Sequence, residues 1–299
     1  MKNLKYIRHI RNTSEEYGIR ALSTAGIFLD FYTDSSYFSF SYDGLKQASS
    51  REWCYFSLYI NEKEYAEIGE EKSRKDAGCY YTELPKGFNR VTLFFPNLFR
   101  GRLNKIELSE NANIESVKKK RKILFIGDSI TQGYDAKYAG NSYVNRFALK
   151  TDSEVINVGI GGARFDEFWI EKKFINNPDL IIVALGTNAW KWETKDYFKR
   201  TSEKFFKELC SLYLNTPIFV LLPIWREEKY SDIFQGTLID ARKILTRMLQ
   251  EYSQIQMVDL WNIIPHDNSY YSDGLHPTDQ GMECFANGLV NELKTRMVL

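Results

Sequence analysis

From Ile123 onward the chain alternates short apolar runs with amphipathic segments, and this alternation restricts the possible folds more than any other feature. Apolar runs without polar alternation are typical of strands buried on both faces of a parallel sheet. The segments between them carry apolar residues at helical spacing. We therefore expect right-handed βαβ units, with helices on both faces of a parallel sheet. The predicted strands are 123–127, 155–158, 180–185, 217–222 and 255–259, and the predicted helices are 194–214, 237–252 and 279–293.

The preceding residues have a different pattern, rich in strong β-formers and punctuated by Gly, Asn and Pro. Short, imperfectly alternating runs of this kind predict an antiparallel sandwich. The predicted strands are 27–34, 37–43, 54–60, 90–95 and 103–108. The basic run 118–122 could be a nucleic-acid or targeting signal, but it leads directly into a buried strand, which favours a solvated linker. We therefore predict two domains, an all-β domain over 1–117 and an α/β domain over 118–299.

Polar residues follow four of the predicted parallel strands. In an open α/β sheet, the carboxyl ends of the strands face one crevice. Together these segments supply a hydroxyl, a glycine loop, a carboxamide, a carboxylate and an imidazole, which are the groups needed for acyl transfer through a serine. The segments are Asp128-Ser129, Asn157 to Ala163, Gly186-Thr-Asn188 and Ser272 to Thr278.

The three histidines of the chain allow a choice of base by elimination. His9 lies in the other half of the sequence, and His266 is expected to be an exposed loop residue. His276 lies three residues after Asp273, so that carboxylate can accept from one ring nitrogen while the other faces Ser129. We therefore expect Ser129 as nucleophile, His276 as base and Asp273 as its orienting carboxylate.

The same segments, in this order, resemble the four sequence blocks of the SGNH (GDSL-like) esterase and lipase superfamily. The resemblance covers roughly residues 120–299 and implies a flavodoxin-like three-layer αβα domain with the Ser129, His276 and Asp273 triad. It also implies an oxyanion hole formed by the backbone N–H groups of Ser129 and Gly162 and by the side chain of Asn188. Gly162 is preferred to Gly161 because the family glycine lies five residues after the asparagine, here Asn157.

The third block departs from the family pattern, because Ala189 stands where an aspartate is common. Since the donor is Asn188, we expect catalysis to survive this change. The order of the two domains is similar to that of bacterial carbohydrate esterases with an N-terminal jelly-roll-like domain, which implies O-acetyl groups on carbohydrate as substrates.

Three tryptophans and two arginines are candidates for substrate contact. Each tryptophan either stacks on a sugar ring or packs beneath a loop, and each arginine either lines the crevice edge or is a solvated loop residue. The tryptophans are Trp190, Trp192 and Trp225, and the arginines are Arg164 and Arg226.

The composition argues against several classes of partner. A net charge of +1 provides no long-range attraction to nucleic acid or to an anionic membrane, and no run approaches the roughly 18 apolar residues of a membrane span. The first ten residues lack the apolar core of a signal peptide, so we expect a cytoplasmic protein with buried free thiols. The spacing of His, Cys and Glu predicts no metal site and no cofactor.

The sequence therefore predicts a serine esterase that acts on small-molecule or oligosaccharide esters with short acyl groups. A lysophospholipase or thioesterase that acts on longer acyl chains is an alternative of the same class. A carbohydrate-binding protein with an inactive hydrolase domain is an alternative of another class, but the complete set of Ser129, Asp273 and His276 argues against it.

Overall fold

The computed structural model describes residues 17–73, 75–170, 175 and 177–299, so His9 lies outside the described residues. After a short helix, α1 (Gly18–Ala21), come eight strands that form two antiparallel sheets, of order β4-β3-β6-β1-β8 and β5-β2-β7. Apolar side chains from both sheets share one core. We call residues 28–116 the β-sandwich region. Its strands are β1 (Phe28–Thr33), β2 (Tyr37–Gln47), β3 (Cys54–Ile60), β4 (Lys63–Glu70), β5 (Gly78–Glu83), β6 (Asn89–Phe94), β7 (Phe99–Leu108) and β8 (Ile114–Ser116).

Residues 122–295 form the α/β region, built on a five-stranded parallel sheet of order β10-β9-β11-β12-β15. Among the described residues, 3-10 turns lie in its connections at Ala139–Asn141, Glu167–Ile170 and Asn268–Tyr270. Its elements are β9 (Lys122–Gly127), α2 (Ser129–Gln132), α3 (Tyr143–Thr151), β10 (Glu154–Asn157), β11 (Leu180–Ala184), α4 (Thr187–Trp192), α5 (Lys195–Leu212), β12 (Ile218–Leu221), β13 (Tyr230–Ser231), β14 (Gly236–Thr237), α6 (Leu238–Leu249), β15 (Ile255–Val258) and α7 (Asp279–Thr295).

The parallel sheet lies between two apolar layers. Along β9, Ile123 and Phe125 face the layer that contains α3 and α7, whereas Leu124 and Ile126 face the layer that contains α5 and α6. Because successive side chains of a strand point to opposite faces, a sheet covered on both sides requires a continuous apolar run. The expected αβα architecture and all-β region are therefore confirmed.

The five parallel strands have the order 2-1-3-4-5 in chain sequence, which is the flavodoxin-like order. The direction of the connections reverses between β9 and β11, and Gly127 and Ala184 pair at the ends of these strands. Such a switch point leaves a crevice at the carboxyl edge of the sheet. The segments that follow β9 and β11 begin with Asp128-Ser129 and Leu185-Gly186, so both start at this crevice.

The two regions share an interface that holds both charged and apolar groups. Tyr59 and Phe94 of the β-sandwich region pack with Ala139 of the α/β region. Arg90 donates to Asp30 within the β-sandwich region and to Asp152 of the α/β region, at 2.8 Å in each case. The division at residue 117 stays a prediction. The segment before β1 already packs on the α/β region, where Tyr17 and Ala21 join its core.

Two expectations for the fold were wrong, and three strands were not predicted. Lys119 in the basic run is not a solvated linker residue, because its Nζ lies 2.7 Å from both Asp30 Oδ2 and Asp152 Oδ1 and its side chain is largely buried. Cys54 alone is a buried thiol, while Cys79 is exposed and the other two cysteines are half-buried. The sequence patterns also missed β4, β5 and β8, whose residues are mostly exposed or half-buried.

Within the described ranges, none of the helices combines the length and the apolar character that crossing a membrane requires.

Candidate active site

Ser129 is the first residue of α2 and follows a tight turn at the end of β9. Only glycine fits at position 127, because a Cβ there would lie 2.0 Å from Thr131 Oγ1. Asp128 caps the helix by accepting the Ile130 N–H at 3.0 Å, and burial raises the pKa of its carboxyl to about 6. The first N–H groups of a helix, including that of Ser129, have no partner within the helix.

Ser129, His276 and Asp273 form a continuous chain of hydrogen bonds. Ser129 Oγ lies 2.8 Å from His276 Nε2, and His276 Nδ1 lies 2.8 Å from Asp273 Oδ2. The second carboxylate oxygen of Asp273 accepts the backbone N–H groups of Leu275 and His276, at 3.1 and 2.8 Å. Burial opposes ionisation of Asp273, but the hydrogen bonds from His276 hold its pKa far below the ordinary value. A carboxylate with this pKa stays charged at neutral pH and can accept the N–H of the ring.

The glycine loop after β10 lies beside Ser129, since a Cβ built on Gly161 would be 3.8 Å from Ser129 Cβ. The Gly161 N–H donates to Gln132 Oε1 at 2.6 Å, so it is already occupied. Among the described residues, the Gly162 N–H has no acceptor. Gly162 has a φ of +86°, and a Cβ there would lie 2.6 Å from Arg20 Nη1. The Gly162 N–H is therefore available to a ligand, whereas that of Gly161 is not, and the oxyanion role of Gly162 stays a prediction.

Asn188 is buried in the first turn of α4, where its Nδ2 donates to the carbonyl of Ala163 at 3.2 Å. A carboxamide carries two N–H groups, so one remains for a ligand. Ala189, in place of the more common aspartate, is buried in the apolar core.

Two of the candidate sugar-stacking tryptophans have no open ring face, so those predictions were wrong. Trp190 is fully buried and its Nε1 donates to the Gly236 carbonyl at 3.1 Å. Trp225 is buried with the ring of His266 stacked on it at 4.9 Å. His266 is an exposed loop residue, as expected, and its Nε2 lies 2.8 Å from the Trp261 carbonyl rather than near Ser129.

Two of the three remaining candidates for substrate contact, Arg164 and Trp192, line one cavity of about 550 Å³. Trp192 is 58% exposed. Arg164 Nε lies 3.8 Å from Oε1 of the buried Glu193, and burial raises the pKa of that carboxyl to about 7. Arg164, which lines this cavity, directly follows Ala163, whose carbonyl accepts the Asn188 amide.

Arg226 is not a solvated loop residue. Its side chain is largely buried, where Nη2 donates to Glu228 at 2.6 Å and Nη1 to Thr187 Oγ1 at 3.2 Å. Burial lowers the pKa of the guanidinium, which still stands above the ring of Trp190. Arg226 therefore supports the turn that carries Asn188.

Three residues near His276 were not predicted from the sequence. Asp135 Oδ2 lies 3.9 Å from His276 Nδ1, and Arg51 of the β-sandwich region donates to Asp135 through Nε at 2.6 Å. The Tyr134 ring contacts the His276 ring at 4.4 Å. A carboxylate oxygen of Asp135, one of Asp273 and a ring nitrogen of His276 lie within 4.8 Å of one another. The Arg51 guanidinium pairs with both carboxylates. Asp135 follows Ser129 by six residues, but nothing in the sequence distinguishes it from a loop carboxylate.

Known proteins share both the sequence pattern and the fold. Residues 125–284 match the GDSL-like Lipase/Acylhydrolase family, and no curated protein matches the chain in sequence. A salicylyl-acyltransferase, SsfX3, from a tetracycline biosynthetic pathway is similar in structure, with a TM-score of 0.76 and 20% identity over 94% of this chain and 85% of that chain.

Two carbohydrate esterases are also similar in structure. A family two carbohydrate esterase from Clostridium thermocellum, in complex with cellohexaose, has a TM-score of 0.68 and 15% identity over 92% of this chain and 94% of that chain. An acetyl xylan esterase, Est2A, from the rumen bacterium Butyrivibrio proteoclasticus has a TM-score of 0.65 and 16% identity over 92% of each chain. Because the family match spans more than half of the 299 residues, from the strand before Ser129 to beyond His276, the chain belongs to the GDSL-like lipase/acylhydrolase family and is an ester hydrolase.

Proposed function

We propose that the protein is a serine esterase that removes short acyl groups, chiefly O-acetyl groups, from carbohydrates. The observation that carries the proposal is the hydrogen-bonded chain from Asp273 through His276 to Ser129. It ends beside the glycine loop, to which Asn188 is bonded at Ala163. Nucleophile, base, orienting carboxylate and oxyanion donors are the groups that acyl transfer requires.

In the first half of the reaction, His276 Nε2 takes the proton of Ser129 Oγ as the oxygen attacks the ester carbonyl. Asp273 stays ionised and stabilises the imidazolium that forms. The oxyanion accepts hydrogen bonds from the backbone N–H groups of Ser129 and Gly162 and from the free amide N–H of Asn188. The Nε2–H then protonates the departing sugar oxygen, which leaves an acyl-enzyme on Ser129.

In the second half, His276 takes a proton from water, and the resulting nucleophile attacks the acyl carbonyl. The same donors stabilise the second tetrahedral intermediate. Its collapse returns the proton to Ser129 Oγ and releases the carboxylic acid. The His276 ring thus acts as the acid that protonates the leaving group and, once neutral again, as the base that activates water.

The cavity beside Arg164 supports carbohydrate rather than a long acyl chain. Its lining mixes charged and hydroxyl side chains with the exposed rings of Trp192 and Tyr197. Polar groups with a few flat rings suit a sugar, whereas an acyl chain of a lipid would need a mostly apolar lining. The carbohydrate esterases that the fold resembles, one of them an acetyl xylan esterase, support the same substrate class. The cytoplasmic location stays a prediction.

The test compares wild type, Ser129→Ala and Ser211→Ala with p-nitrophenyl acetate, butyrate and octanoate and with acetylated xylo-oligosaccharides. Ser211 is a matched control, because its hydroxyl donates only to Lys207 O on the exposed side of α5. We expect Ser129→Ala to lose on the order of 10⁴-fold or more in kcat while it keeps its folded circular dichroism spectrum, and Ser211→Ala to behave as wild type.

Full activity in Ser129→Ala would contradict the nucleophile assignment. Activity that rises from acetyl to octanoyl esters would support the lysophospholipase or thioesterase alternative instead. Carbohydrate binding without hydrolysis of any ester by wild type would support the inactive binding protein.

A further inference from the structure

One guanidinium of the β-sandwich region reaches the carboxylates around His276. Arg51 lies in the loop between β2 and β3, and it holds Asp135 of the α/β region in a bidentate pair, with Nε to Oδ1 at 2.6 Å and Nη2 to Oδ2 at 2.9 Å. The same Nη2 lies 3.7 Å from Asp273 Oδ2, the atom that accepts from His276. A single cation thus stands next to both acidic groups that face the imidazole.

Asp135 requires this partner, because its side chain is only 1% exposed. A buried carboxylate without a cation or several hydrogen bonds is strongly unfavourable. Besides Arg51, it accepts the hydroxyl of Ser272, which begins the turn that carries Asp273 and His276. The Ser272 N–H also donates to the His276 carbonyl at 2.9 Å and closes that turn. Asp135 therefore holds the first residue of the turn that carries His276.

Tyr134 provides a second path between Arg51 and His276. Its ring lies 4.4 Å from the His276 ring, and the Arg51 Cζ lies 4.6 Å from its centroid. The Tyr134 hydroxyl is hydrogen-bonded to Ser50 Oγ, next to Arg51 in the same loop. The loop between β2 and β3 thus contacts the imidazole support by an ion pair and by a packed ring.

We propose that Arg51 and Asp135 are positioning residues for His276, so that the β-sandwich region completes the esterase site of the α/β region. This inference rests on the proposed function. The pair holds the turn at 272–276 so that Nε2 points at Ser129, and it sets the local charge that decides at which pH the ring can accept a proton.

The charges that face His276 come from four segments. Asp273 lies on its own turn, Asp135 and Tyr134 follow α2, and Arg51 belongs to the β-sandwich region. Asp128 at the end of β9 also acts on the ring, and Arg226 acts on Asp128 and Asp273. Arg51 and Asp135 carry opposite charges, and substituting them leaves Asp128 and Arg226 unchanged. The two substitutions therefore shift the pH profile in opposite directions.

The experiment measures kcat and KM against pH with p-nitrophenyl acetate in the full chain, for Arg51→Gln, Asp135→Asn, the double variant and Arg51→Lys. Removal of the Arg51 cation favours the protonated ring, so the midpoint of the acid limb of kcat/KM moves to higher pH. Removal of the Asp135 charge moves it to lower pH, and the double variant returns it towards wild type. We expect kcat to fall on the order of 10- to 100-fold in Arg51→Gln with little change in KM, because a displaced ring is poorly oriented for proton transfer.

Arg51→Lys restores the charge but not the bidentate geometry, so it recovers the acid limb and only part of kcat. Glu71→Gln is the matched control, because Glu71 pairs with Lys137 across the same two regions without touching His276. We expect this control to stay within about twofold of wild type, as surface ion pairs contribute little.

The proposal would be overturned if the acid limb of kcat/KM had the same midpoint in Arg51→Gln, Asp135→Asn and wild type. It would also be overturned if the loss of activity were fully explained by a smaller folded fraction, measured by thermal melts. If Arg51→Gln does not fold, Arg51→Lys and Asp135→Asn decide by the same criterion. Ser129→Ala run in parallel separates the two hypotheses. If Ser129→Ala is active, the proposed function is contradicted. If Ser129→Ala is inactive but Arg51→Gln has the activity and pH profile of wild type, only the positioning role of Arg51 and Asp135 is contradicted.

Discussion

The β-sandwich region and the α/β region bury their strands in different ways. Every residue of β12 is buried, and β9 is buried from Ile123 to its end. In the β-sandwich region, full burial is confined to the central strand β6, whereas the edge strand β5 alternates between half-buried and exposed residues. A sheet with helices on both faces offers polar side chains a place only where its strands end. An antiparallel sandwich with solvent-facing sides spreads its polar groups over the surface. The polar groups of the α/β region therefore gather where its strands end, while the β-sandwich region contributes Arg51 from the loop between β2 and β3.

The largest effect on stability is expected within the α/β region, where two tryptophans two positions apart differ completely in burial. Trp190→Ala removes a fully buried ring and its hydrogen bond to Gly236, so we expect a loss of about 3–5 kcal/mol in the free energy of unfolding, measured in urea. Trp192→Ala is the control, with a change below about 0.5 kcal/mol. If Trp192 stacks on sugar, KM for acetylated xylo-oligosaccharides rises in that variant. Equal destabilisation by both substitutions would contradict the burial described above.

Buried carboxamides of the two regions sharpen the comparison. Asn188→Ala removes the proposed oxyanion donor of the α/β region, and we expect kcat to fall on the order of 10²- to 10³-fold with p-nitrophenyl acetate. Asn89 of the β-sandwich region donates to the carbonyls of Pro85 and Gly87 and accepts from Asn61. We expect Asn89→Ala to lower the free energy of unfolding by roughly 1–3 kcal/mol and to leave kcat unchanged. A large loss of kcat in Asn89→Ala would show that chemistry is not confined to the α/β region.

The smallest effect concerns a carboxyl at the junction of the two regions. Glu67 on β4 accepts the Ser57 hydroxyl at 2.6 Å, and that hydroxyl accepts the Gly140 N–H of the α/β region at 2.8 Å. Burial raises the pKa of Glu67 from 4.5 to about 8, so the folded state binds more protons than the unfolded state between these values. Its contribution to stability therefore falls as the pH rises through that interval.

We expect Glu67→Gln to match wild type near pH 5 and to exceed its free energy of unfolding by roughly 1–3 kcal/mol near pH 9. Urea unfolding at several pH values measures the difference. The exposed Glu64→Gln on the same strand is the control and is expected to follow wild type. A constant gap between Glu67→Gln and wild type at all pH values would contradict the buried, protonated carboxyl.

The elements that are buried in the structure are the ones that the sequence patterns predicted best. The five parallel strands and the helices α5, α6 and α7 were predicted within a few residues, because their apolar patterns are continuous or clearly helical. The edge strand β4 was missed because Lys, Glu and Tyr side chains cover its exposed length, which is typical of a protected edge. Trp190 was misjudged because adjacency to Asn188 in sequence does not reveal which face of α4 turns to the core.

The sequence by itself determined the order of the strands along the chain and placed Ser129, Asn188, Asp273 and His276 just past apolar runs. Such local patterns are sufficient because the end of a buried parallel strand has to be where polar chemistry starts. Only the tertiary structure decided that the Gly161 N–H donates to Gln132, that Trp190 is buried in the core, and that Arg51 pairs with Asp135. These contacts join residues far apart in the chain, 84 positions in the case of Arg51 and Asp135, and long-range packing rather than local pattern brings them together.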